Sequence, residues 1–476
     1  MQICQIRFIC VPSFLLPEIG ISREKTLTLS SYFSFVFPIF ATMNSLTLNN
    51  GLRVIYAPSP TNTVYLGLAL DAGTRDEKDG ESGMAHFAEH LSFKGTDRRT
   101  SRQIITYMES VGGDLNAFTG KEETVYYCTC QKEHFSRAMD LLFDVVFHSK
   151  FPQEEMDKEV EVVIDEIESY NDSPSELIYD DFEAMLFQGH PLGRSILGNA
   201  ERLRAYKTED VQNYTSRLYV PSNAVLFVYG NVSEKEIMKQ IRVTDIGPLP
   251  NGPQDPPPYP STREGSGYNR LVPTSAGHYT PSPCGRVGEG SGGSGGGRVI
   301  HKDTHQAHIM MGARAFGGTH PKHLALFLAN NILGGPGLSS RLNLALRENR
   351  GLVYTVESTL TTYTDTGVWA IYFGCDHHDA EKCKRIVKRE LQRLCDAPLS
   401  EKALNAAKRQ IIGQIALSYD NFESVAIGMG KRMLHDGRTQ TKEQFIARIQ
   451  ALTAEQVWDA AKEVFNPENL TILEYR

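Results

Sequence analysis

The rest of this chain is organised around one stretch of nine residues, Gly83-Met84-Ala85-His86-Phe87-Ala88-Glu89-His90-Leu91. At about 100° per residue, its larger apolar side chains gather on one side of a helix, whereas His86, Glu89 and His90 gather on the other. The stretch therefore predicts a short helix with two distinct faces. We expect Ser82 to cap the start of this helix, after a charged and glycine-rich loop.

The polar side of the predicted helix has the residue types and the spacing of a zinc site. His86 and His90 are four residues apart, so their Cβ atoms share one helical face at a separation of about 5–6 Å. Two imidazoles at that spacing suit a tetrahedral zinc ion with bonds of about 2.0–2.1 Å. Glu89 can take a proton from a water at the metal and pass it on without binding the metal itself. The plainer alternative is a solvated polar face on an amphipathic helix.

Length and composition describe a globular protein with more than one domain. The chain has 476 residues, of which 41% are hydrophobic and 22% are charged, and this length exceeds one ordinary core. A net charge of −8 argues against nucleic acid as a partner and is compatible with basic or unfolded peptide substrates. The eight cysteines form no Cys-x-x-Cys pair, which argues against a zinc ribbon or a thioredoxin-like centre and favours a reducing compartment.

Two segments differ in composition from the rest of the chain and divide it. Residues 1–43 contain an apolar run that is too short and too interrupted to span a bilayer. We expect this segment to be disordered or absent from the mature protein, and we expect no membrane span. Residues 246–298 hold three consecutive prolines and a run of only glycine and serine, which is typical of a flexible linker. We therefore predict two folded domains, 44–245 and 299–476.

An internal repeat supports this two-domain organisation. Adding 246 to the residue number pairs identical residues at five places: Tyr126 with Tyr372, Pro152 with Pro398, Glu155 with Glu401, Pro221 with Pro467 and Asn223 with Asn469. A constant offset over such a span indicates that a folding unit of about two hundred residues is duplicated. The same offset places no histidine or carboxylate at the counterparts of His86, Glu89 and His90. We therefore expect a metal site in the first copy alone.

The first copy surrounds the candidate zinc helix with a regular pattern of strands and helices. The pattern predicts a hairpin at 46–56, strands over 64–70 and 124–129, and helices over 101–110, 133–147 and 154–170. The last of these helices carries Glu159 and Glu166 two turns apart on one face. A site with two histidines needs a third protein ligand, and a long helix that crosses the first one could supply it.

The chain resembles the pitrilysin-type zinc peptidases in four segments: 82–96, 112–127, 162–167 and 189–193. The zinc motif of this group, the inverzincins, is His-x-x-Glu-His, the inverse of the commoner order. Within this group, the chain looks like the bacterial processing-peptidase-like branch and the β subunit of mitochondrial processing peptidase. The resemblance implies an α+β fold of two tandem homologous domains, each an antiparallel β-sheet packed with helices.

The resemblance also implies an activity and a set of ligands. The chain would be a zinc-dependent endopeptidase with one Zn²⁺ per chain, held by His86, His90 and Glu166. Glu89 would be the general base, and Glu159 would orient the site from beside a ligand.

For substrate and partners, the resemblance implies an extended peptide that adds as a strand along Asn116, Ala117 and Phe118. In the second copy, Arg347 and Tyr354 match an arginine that binds substrate backbone and a tyrosine that stabilises the oxyanion. The resemblance also implies a homodimer. Related enzymes that carry every domain on one chain have four domains, whereas this chain has only two, so two copies are needed to supply four. A bacterial-type cytoplasmic location is favoured over the mitochondrial matrix or export.

Two other functions stay open on the sequence. A scaffold or regulatory subunit of the same fold would lack catalysis, but such relatives have damaged metal motifs, and His86, Glu89, His90 and Glu166 are intact here. A metal-storage or metal-sensing protein would give Glu89 no role. Retained zinc with no hydrolysis of any peptide would favour that last class.

Overall fold

The computed structural model describes residues 43–244 and 296–476. We call these two ranges the N-terminal half and the C-terminal half. Residues 1–42 of the predicted extension 1–43 and almost all of the predicted linker 246–298 lie outside the described residues. At the end of the linker the prediction differs from the structure, because Gly297 and Arg298 already belong to a strand. Across the two described ranges, no helix is both long enough and apolar enough to cross a membrane.

The N-terminal half alternates strands and helices. Its strands are β1 Asn44–Thr47, β2 Arg53–Pro58, β3 Thr63–Leu70, β4 Asp114–Thr119, β5 Thr124–Gln131 and β6 Ala224–Gly230. Its helices are α1 Met84–Ser92, α2 Ser101–Glu109, α3 Phe135–Phe147, α4 Gln153–Asn171, α5 Pro174–Leu186, α6 Ala200–Ala205, α7 Thr208–Leu218 and α8 Glu234–Val243. The hairpin, strands and helices predicted for this half are all present. Only α3 starts later than predicted, at Phe135, because residues 132–134 form a separate 3-10 turn.

The C-terminal half follows the same plan. Its strands are β7 Gly297–Ile300, β8 Ala307–Phe316, β9 Val353–Thr362, β10 Thr366–Cys375 and β11 Thr471–Tyr475. Its helices are α9 His323–Gly334, α10 Ala380–Asp396, α11 Glu401–Ser418, α12 Phe422–Asp436, α13 Lys442–Ala451 and α14 Ala454–Val464, together with a π-helical segment Asn343–Glu348.

The two sheets have equivalent topologies, which confirms the internal repeat at the level of the fold. The first sheet has the strand order β1-β2-β6-β3-β5-β4 and the second the order β7-β11-β8-β10-β9. Both are antiparallel except for one parallel pair each, β2 with β6 and β7 with β11, at the same place in the order. Strands β4 and β9 are therefore equivalent edge strands.

Each half lends one helix to the sheet of the other half. Helix α5 packs on β8 and β11, and helix α12 packs on β3 and β6. Adding the repeat offset of 246 to α5 places it on α12, so this exchange is reciprocal. The strands are consequently buried on both faces: Leu66 and Leu68 face the core around α1 and α3, whereas Ala69 faces α12. The exchange packs the two halves against each other.

We expect Gly430→Ala to weaken the docking of α12. A Cβ at Gly430 would lie 2.4 Å from Cδ1 of Phe227, on the sheet that α12 covers, so overpacking should lower the free energy of unfolding by about 1–3 kcal/mol. Gly428 of the same helix is the matched control, because no atom lies within 4 Å of an added Cβ. Gly428→Ala should be neutral or stabilise the protein by up to about 1 kcal/mol. Denaturant unfolding measures both; equal stabilities of the two variants would contradict this packing.

Candidate metal centre

Helix α1 begins at Met84, after an N-cap residue that has no side chain. Gly83 is the N-cap residue with a φ of 79°, a conformation that glycine adopts readily. A Cβ at Gly83 would also lie 2.8 Å from the Cα atom of Gly198. The buried carboxylate of Glu77 accepts the first-turn N–H of Ala85 at 3.1 Å. The predicted cap at Ser82 is therefore wrong.

Almost all of α1 is buried, including its polar side. Eight of its nine residues are buried, and His86 and Glu89 are only 8% and 9% exposed. This burial excludes the alternative of a solvated polar face. Buried polar groups cost free energy unless they have partners, so the groups that face these side chains determine whether the arrangement is stable.

The structure brings together His86, His90 and Glu166, the three predicted ligands. Their potential ligand atoms all lie within 4.8 Å of one another. Oε2 of Glu166 is 3.8 Å from Nε2 of His86 and 3.6 Å from Nε2 of His90. Two ligands of one tetrahedral zinc ion lie about 3.4 Å apart. Small side-chain rotations would thus bring the three atoms to the spacing of a metal site.

The charges around these atoms suit a cation. Burial and the nearby His90 lower the pKa of His86 to about 3, so its imidazole is neutral, as a metal ligand must be. Burial would also lower the pKa of His90, but the hydrogen bond to Glu159 and the charges of Glu89, Glu159 and Glu166 raise it. A positive charge is thus favoured at His90, whether it is a proton or a bound cation.

Helix α4 supplies both acidic residues from one face. Its apolar stripe, which includes Val160 and Val163, packs into the core of the N-terminal half. Oε1 of Glu159 lies 3.0 Å from Nδ1 of His90, and Oε2 lies 2.5 Å from Nζ of Lys94. Burial would raise the pKa of Glu159, but these two cationic partners lower it. The ionised Glu159 therefore holds the His90 ring with Nε2 on the side of Glu166.

Glu89 lies beside the three ligand atoms and has one partner of its own. The hydroxyl of Thr119 donates a hydrogen bond of 2.5 Å to Oε2 of Glu89. Burial raises the pKa of Glu89 to about 7; the Thr119 hydrogen bond and His90 oppose this rise, and Glu166 adds to it. A carboxyl with a pKa near 7 can both accept and release a proton at neutral pH.

Strand β4, which holds the predicted substrate-binding residues, is an edge of the six-stranded sheet. Of the described strands, β5 alone pairs with it, so one row of its backbone N–H and C=O groups can pair with another chain. Ala117 and Thr119 face the core under α1, whereas Phe118 packs on the opposite face with the residues of α12. Asn116 shares the face of Phe118 and donates to the carboxylate of Asp114 at 2.7 Å.

Arg347 and Tyr354 lie together in the C-terminal half, where both line a pocket of about 320 Å³. The segment Asn343–Glu348, which contains Arg347, is π-helical, and such turns are frequent at functional sites. Tyr354, at the start of edge strand β9, is 81% exposed. Among the described residues, no hydrogen bond or ion pair joins the side chain of Arg347 or Tyr354 to the three predicted ligands on α1 and α4.

The C-terminal half contains one further group of potential metal ligands, which the sequence did not predict. It consists of Asp376, His378 and Asp379 on the turn before α10. None of the three is buried, and exposed acidic groups of this kind are common without a metal. These residues do not correspond in the internal repeat to His86, Glu89 and His90 of α1.

Three residues that support the site were missed on the sequence: Glu77, Lys94 and Thr119. They contact Ala85, Glu159 and Glu89 respectively. Glu77 lies in the loop before α1 and Thr119 lies thirty residues after Glu89, so no helical periodicity marks them. Lys94 stands four residues after His90, and this i, i+4 spacing was the only available signal.

Comparison with known proteins identifies the family. Residues 53–200 match the family described as insulinase (peptidase family M16), and residues 206–411 match the peptidase M16 inactive domain. An uncharacterized zinc protease of Mycobacterium leprae is 32% identical over 88% of this chain and 88% of its own length. The chain belongs to peptidase family M16. The predicted resemblance and the predicted α+β fold of two homologous domains are thereby confirmed.

Other known proteins are similar to this chain over most of its length. An uncharacterized zinc protease of Bacillus subtilis is 30% identical over 89% of this chain and 95% of its own length. A protease from Helicobacter pylori shares the fold with a TM-score of 0.77 and 21% identity, over 92% of this chain and 100% of that one. An M16 inactive-domain protein from Pseudomonas fluorescens has a TM-score of 0.76 and 19% identity, over 91% and 97% of the two chains.

Replacing Glu166 and Glu159 of α4 separately should distinguish a metal ligand from a residue that only orients a ligand. Glu166→Gln should lose stoichiometric zinc at neutral pH, because it removes one of three charged or imidazole donors. Glu159→Gln, the matched control on the same helix, should bind zinc about 10–100-fold more weakly but still reach one zinc per chain at saturation. Metal analysis after dialysis measures both. Full zinc in Glu166→Gln together with none in Glu159→Gln would reverse the assignment.

Proposed function

We propose that this chain is a zinc-dependent endopeptidase that cleaves unfolded or extended peptides. The observation that carries the proposal is the convergence of His86, His90 and Glu166 beside a buried Glu89, close to an edge strand. Its M16 relatives are named zinc proteases, which supports zinc as the metal. The donor set of two imidazoles and one carboxylate is also that of zinc peptidases.

In this proposal the site holds one zinc ion per chain through His86, His90 and Glu166. A zinc ion with three protein ligands polarises a carbonyl and lowers the pKa of water towards about 7. The neutral imidazole of His86 and the fixed ring of His90 favour the binding of a cation at this point. Glu159 and Lys94 serve as supports, because Glu159 holds the His90 ring and Lys94 holds Glu159.

Glu89 acts as the general base and then as the acid. Its Oε2 accepts from Thr119, and no other described residue donates a hydrogen bond to its carboxylate. Oε1 is therefore the atom that takes the proton from water and delivers it to the leaving amine. A pKa near 7 suits both steps, since the ideal acid–base group titrates close to the working pH.

The substrate would lie along β4 as an additional antiparallel or parallel strand. The unpaired edge at Asn116, Ala117 and Phe118 offers backbone donors and acceptors, and β-strand addition binds extended chains with little dependence on sequence. The same strand ends at Thr119, which touches Glu89. A peptide paired with this edge is thus carried towards the general base.

The second wall of the site would come from Arg347 and Tyr354 of a neighbouring copy in a homodimer. Arg347 would bind the peptide backbone, and Tyr354 would donate to the oxyanion. The wide exposure of Tyr354, along with that of Leu338 and Leu344 nearby, supports a surface that meets another molecule. A non-catalytic scaffold of the same fold is the alternative, and the experiments that follow separate it from an enzyme.

Glu89→Gln should abolish peptide hydrolysis while zinc stays bound. The amide keeps the shape of the side chain but cannot accept the proton, so we expect kcat to fall by about 10²–10⁴ or more. Digestion of a peptide library by metal-loaded protein is the measurement, and zinc content in wild type and variant is the control. Unchanged turnover in the loaded variant would contradict the role of Glu89, and an inactive wild type with full zinc would favour the scaffold.

Mixing two inactive variants tests the composite site. Glu89→Gln and Tyr354→Phe chains, each nearly inactive alone, should regain activity when mixed, because a mixed dimer has one site with both groups intact. Up to about half of the wild-type activity per mixed dimer is expected if the two sites work independently. The control is a mixture of Glu89→Gln with His86→Ala chains. Both substitutions lie on α1, so no site in a mixed dimer has an intact α1, and no activity should return. No recovery despite verified subunit exchange would mean that one chain completes its own site.

A further inference from the structure

The turn between β4 and β5 is highly charged and yet buried. Its residues Lys121, Glu122 and Glu123 are 7%, 3% and 8% exposed, although turns usually lie at the surface. Buried charges are stable only when they are paired and hydrogen-bonded. The partners of these three side chains therefore hold the turn in place.

Glu122 is bound mainly by the C-terminal half. Its two carboxylate oxygens accept the hydroxyl and the backbone N–H of Thr364, at 2.8 and 2.9 Å. Arg75 of the N-terminal half donates to Glu122 at 2.6 Å and also to Asp365 at 2.8 Å. The turn between β9 and β10 is thus hydrogen-bonded to the turn between β4 and β5.

Glu123 is held by α12, again from the C-terminal half. Its Oε1 lies 2.5 Å from Nζ of Lys431, and its Oε2 lies 3.0 Å from Nε2 of His435. Burial would raise the pKa of Glu123, but these two partners lower it to about 2. Burial would lower the pKa of His435, but Glu123 raises it. The pair is accordingly ionised on both sides.

This turn leads directly to Glu89. The N–H of Gly120 donates to the carbonyl of Glu123 at 2.7 Å, which closes the turn, and Thr119 pairs with Thr124 across it. The Thr119 hydroxyl holds Oε2 of Glu89. A short series of contacts, through Glu123 and Thr119, therefore connects α12 to the carboxylate of Glu89.

We infer that the C-terminal half positions the general base of the N-terminal half through this turn, with Glu123 and His435 as positioning residues. The inference rests on the proposed function, because it concerns Glu89 during peptide hydrolysis. It assigns to the half without the α1 cluster a second role, distinct from the proposed contact of Arg347 and Tyr354 with substrate.

Docking of the two halves does not by itself explain the buried Glu123. Helix α12 is held on the sheet by an apolar layer that includes Met429 and Met433. Arg53 also donates to the carbonyl oxygens of Met433 and Leu434, at 3.0 and 3.1 Å. These contacts remain when the Glu123–His435 pair is removed, so the pair can be tested without undocking the helix.

The test is steady-state hydrolysis of a library peptide by His435→Ala in the full-length, zinc-loaded chain. We expect kcat to fall by about tenfold or more, because small displacements of a catalytic group are costly, while KM and zinc content stay within twofold. His435→Gln, whose amide can still donate to Glu123, should keep at least half of the wild-type kcat. Hydrogen exchange of the 114–124 amides should be faster in His435→Ala than in wild type.

The matched control is Glu423→Ala, also on α12. It removes another bond between the halves, from Thr129 at the far end of β5 to Glu423, at 3.1 Å. This variant should keep the wild-type kcat. If His435→Ala does not fold, Lys431→Met, which removes the other contact to Glu123 from a half-exposed side chain, replaces it and is judged on kcat.

Wild-type kcat and unchanged exchange of the turn in His435→Ala would overturn the inference, and so would an equal loss of kcat in Glu423→Ala. Failure of the proposed function has a different outcome, since the wild type itself would then cleave no peptide. In that case the exchange measurement still decides whether α12 fixes the turn that carries Thr119.

Discussion

The N-terminal half depends on the burial of the polar side of α1 against the carboxylates of α4. His86 and Glu89 lie among core side chains, where an unpaired polar group would cost several kcal/mol. Thr119 donates a hydrogen bond to Glu89, Glu166 lies 3.8 Å from His86, and Glu159 lies 3.0 Å from the neighbouring His90. In the proposed function, Glu166 also binds the cation and the buried Glu89 moves the proton.

Duplication explains how both halves of one chain contact the sheet that carries β4. The two sheets share a topology, and each is covered by a helix of the other half, α5 or α12. Because the copies exchange helices, the C-terminal half reaches the β4–β5 turn even though it has no equivalent of the α1 cluster. The α1 cluster lies in one copy, and the other copy contributes Thr364, Lys431 and His435 to the contacts of that turn.

The sequence predicted what depends on local spacing. The four-residue step from His86 to His90 and the seven-residue step from Glu159 to Glu166 put each pair on one helical face, and α1 and α4 were placed correctly. Ser82 failed as a cap because Gly83 needs a positive φ and close contact with Gly198. The exchange of α5 and α12, the hydrogen bond from Thr119 and the π-helical segment at Asn343–Glu348 rest on tertiary contacts. No periodicity within a short window could have predicted them.

X-ray absorption at the zinc edge of the zinc-loaded full-length protein tests the central claim most directly, because it reports the ligands without reference to activity. The account predicts a four-coordinate zinc with two imidazole ligands and oxygen donors at about 2.0–2.2 Å, and no sulfur. Loss of one imidazole shell in a His90→Ala sample would assign that ligand. Sulfur at about 2.3 Å, or a shell of oxygen atoms without imidazole, would contradict a zinc centre built on α1 and α4.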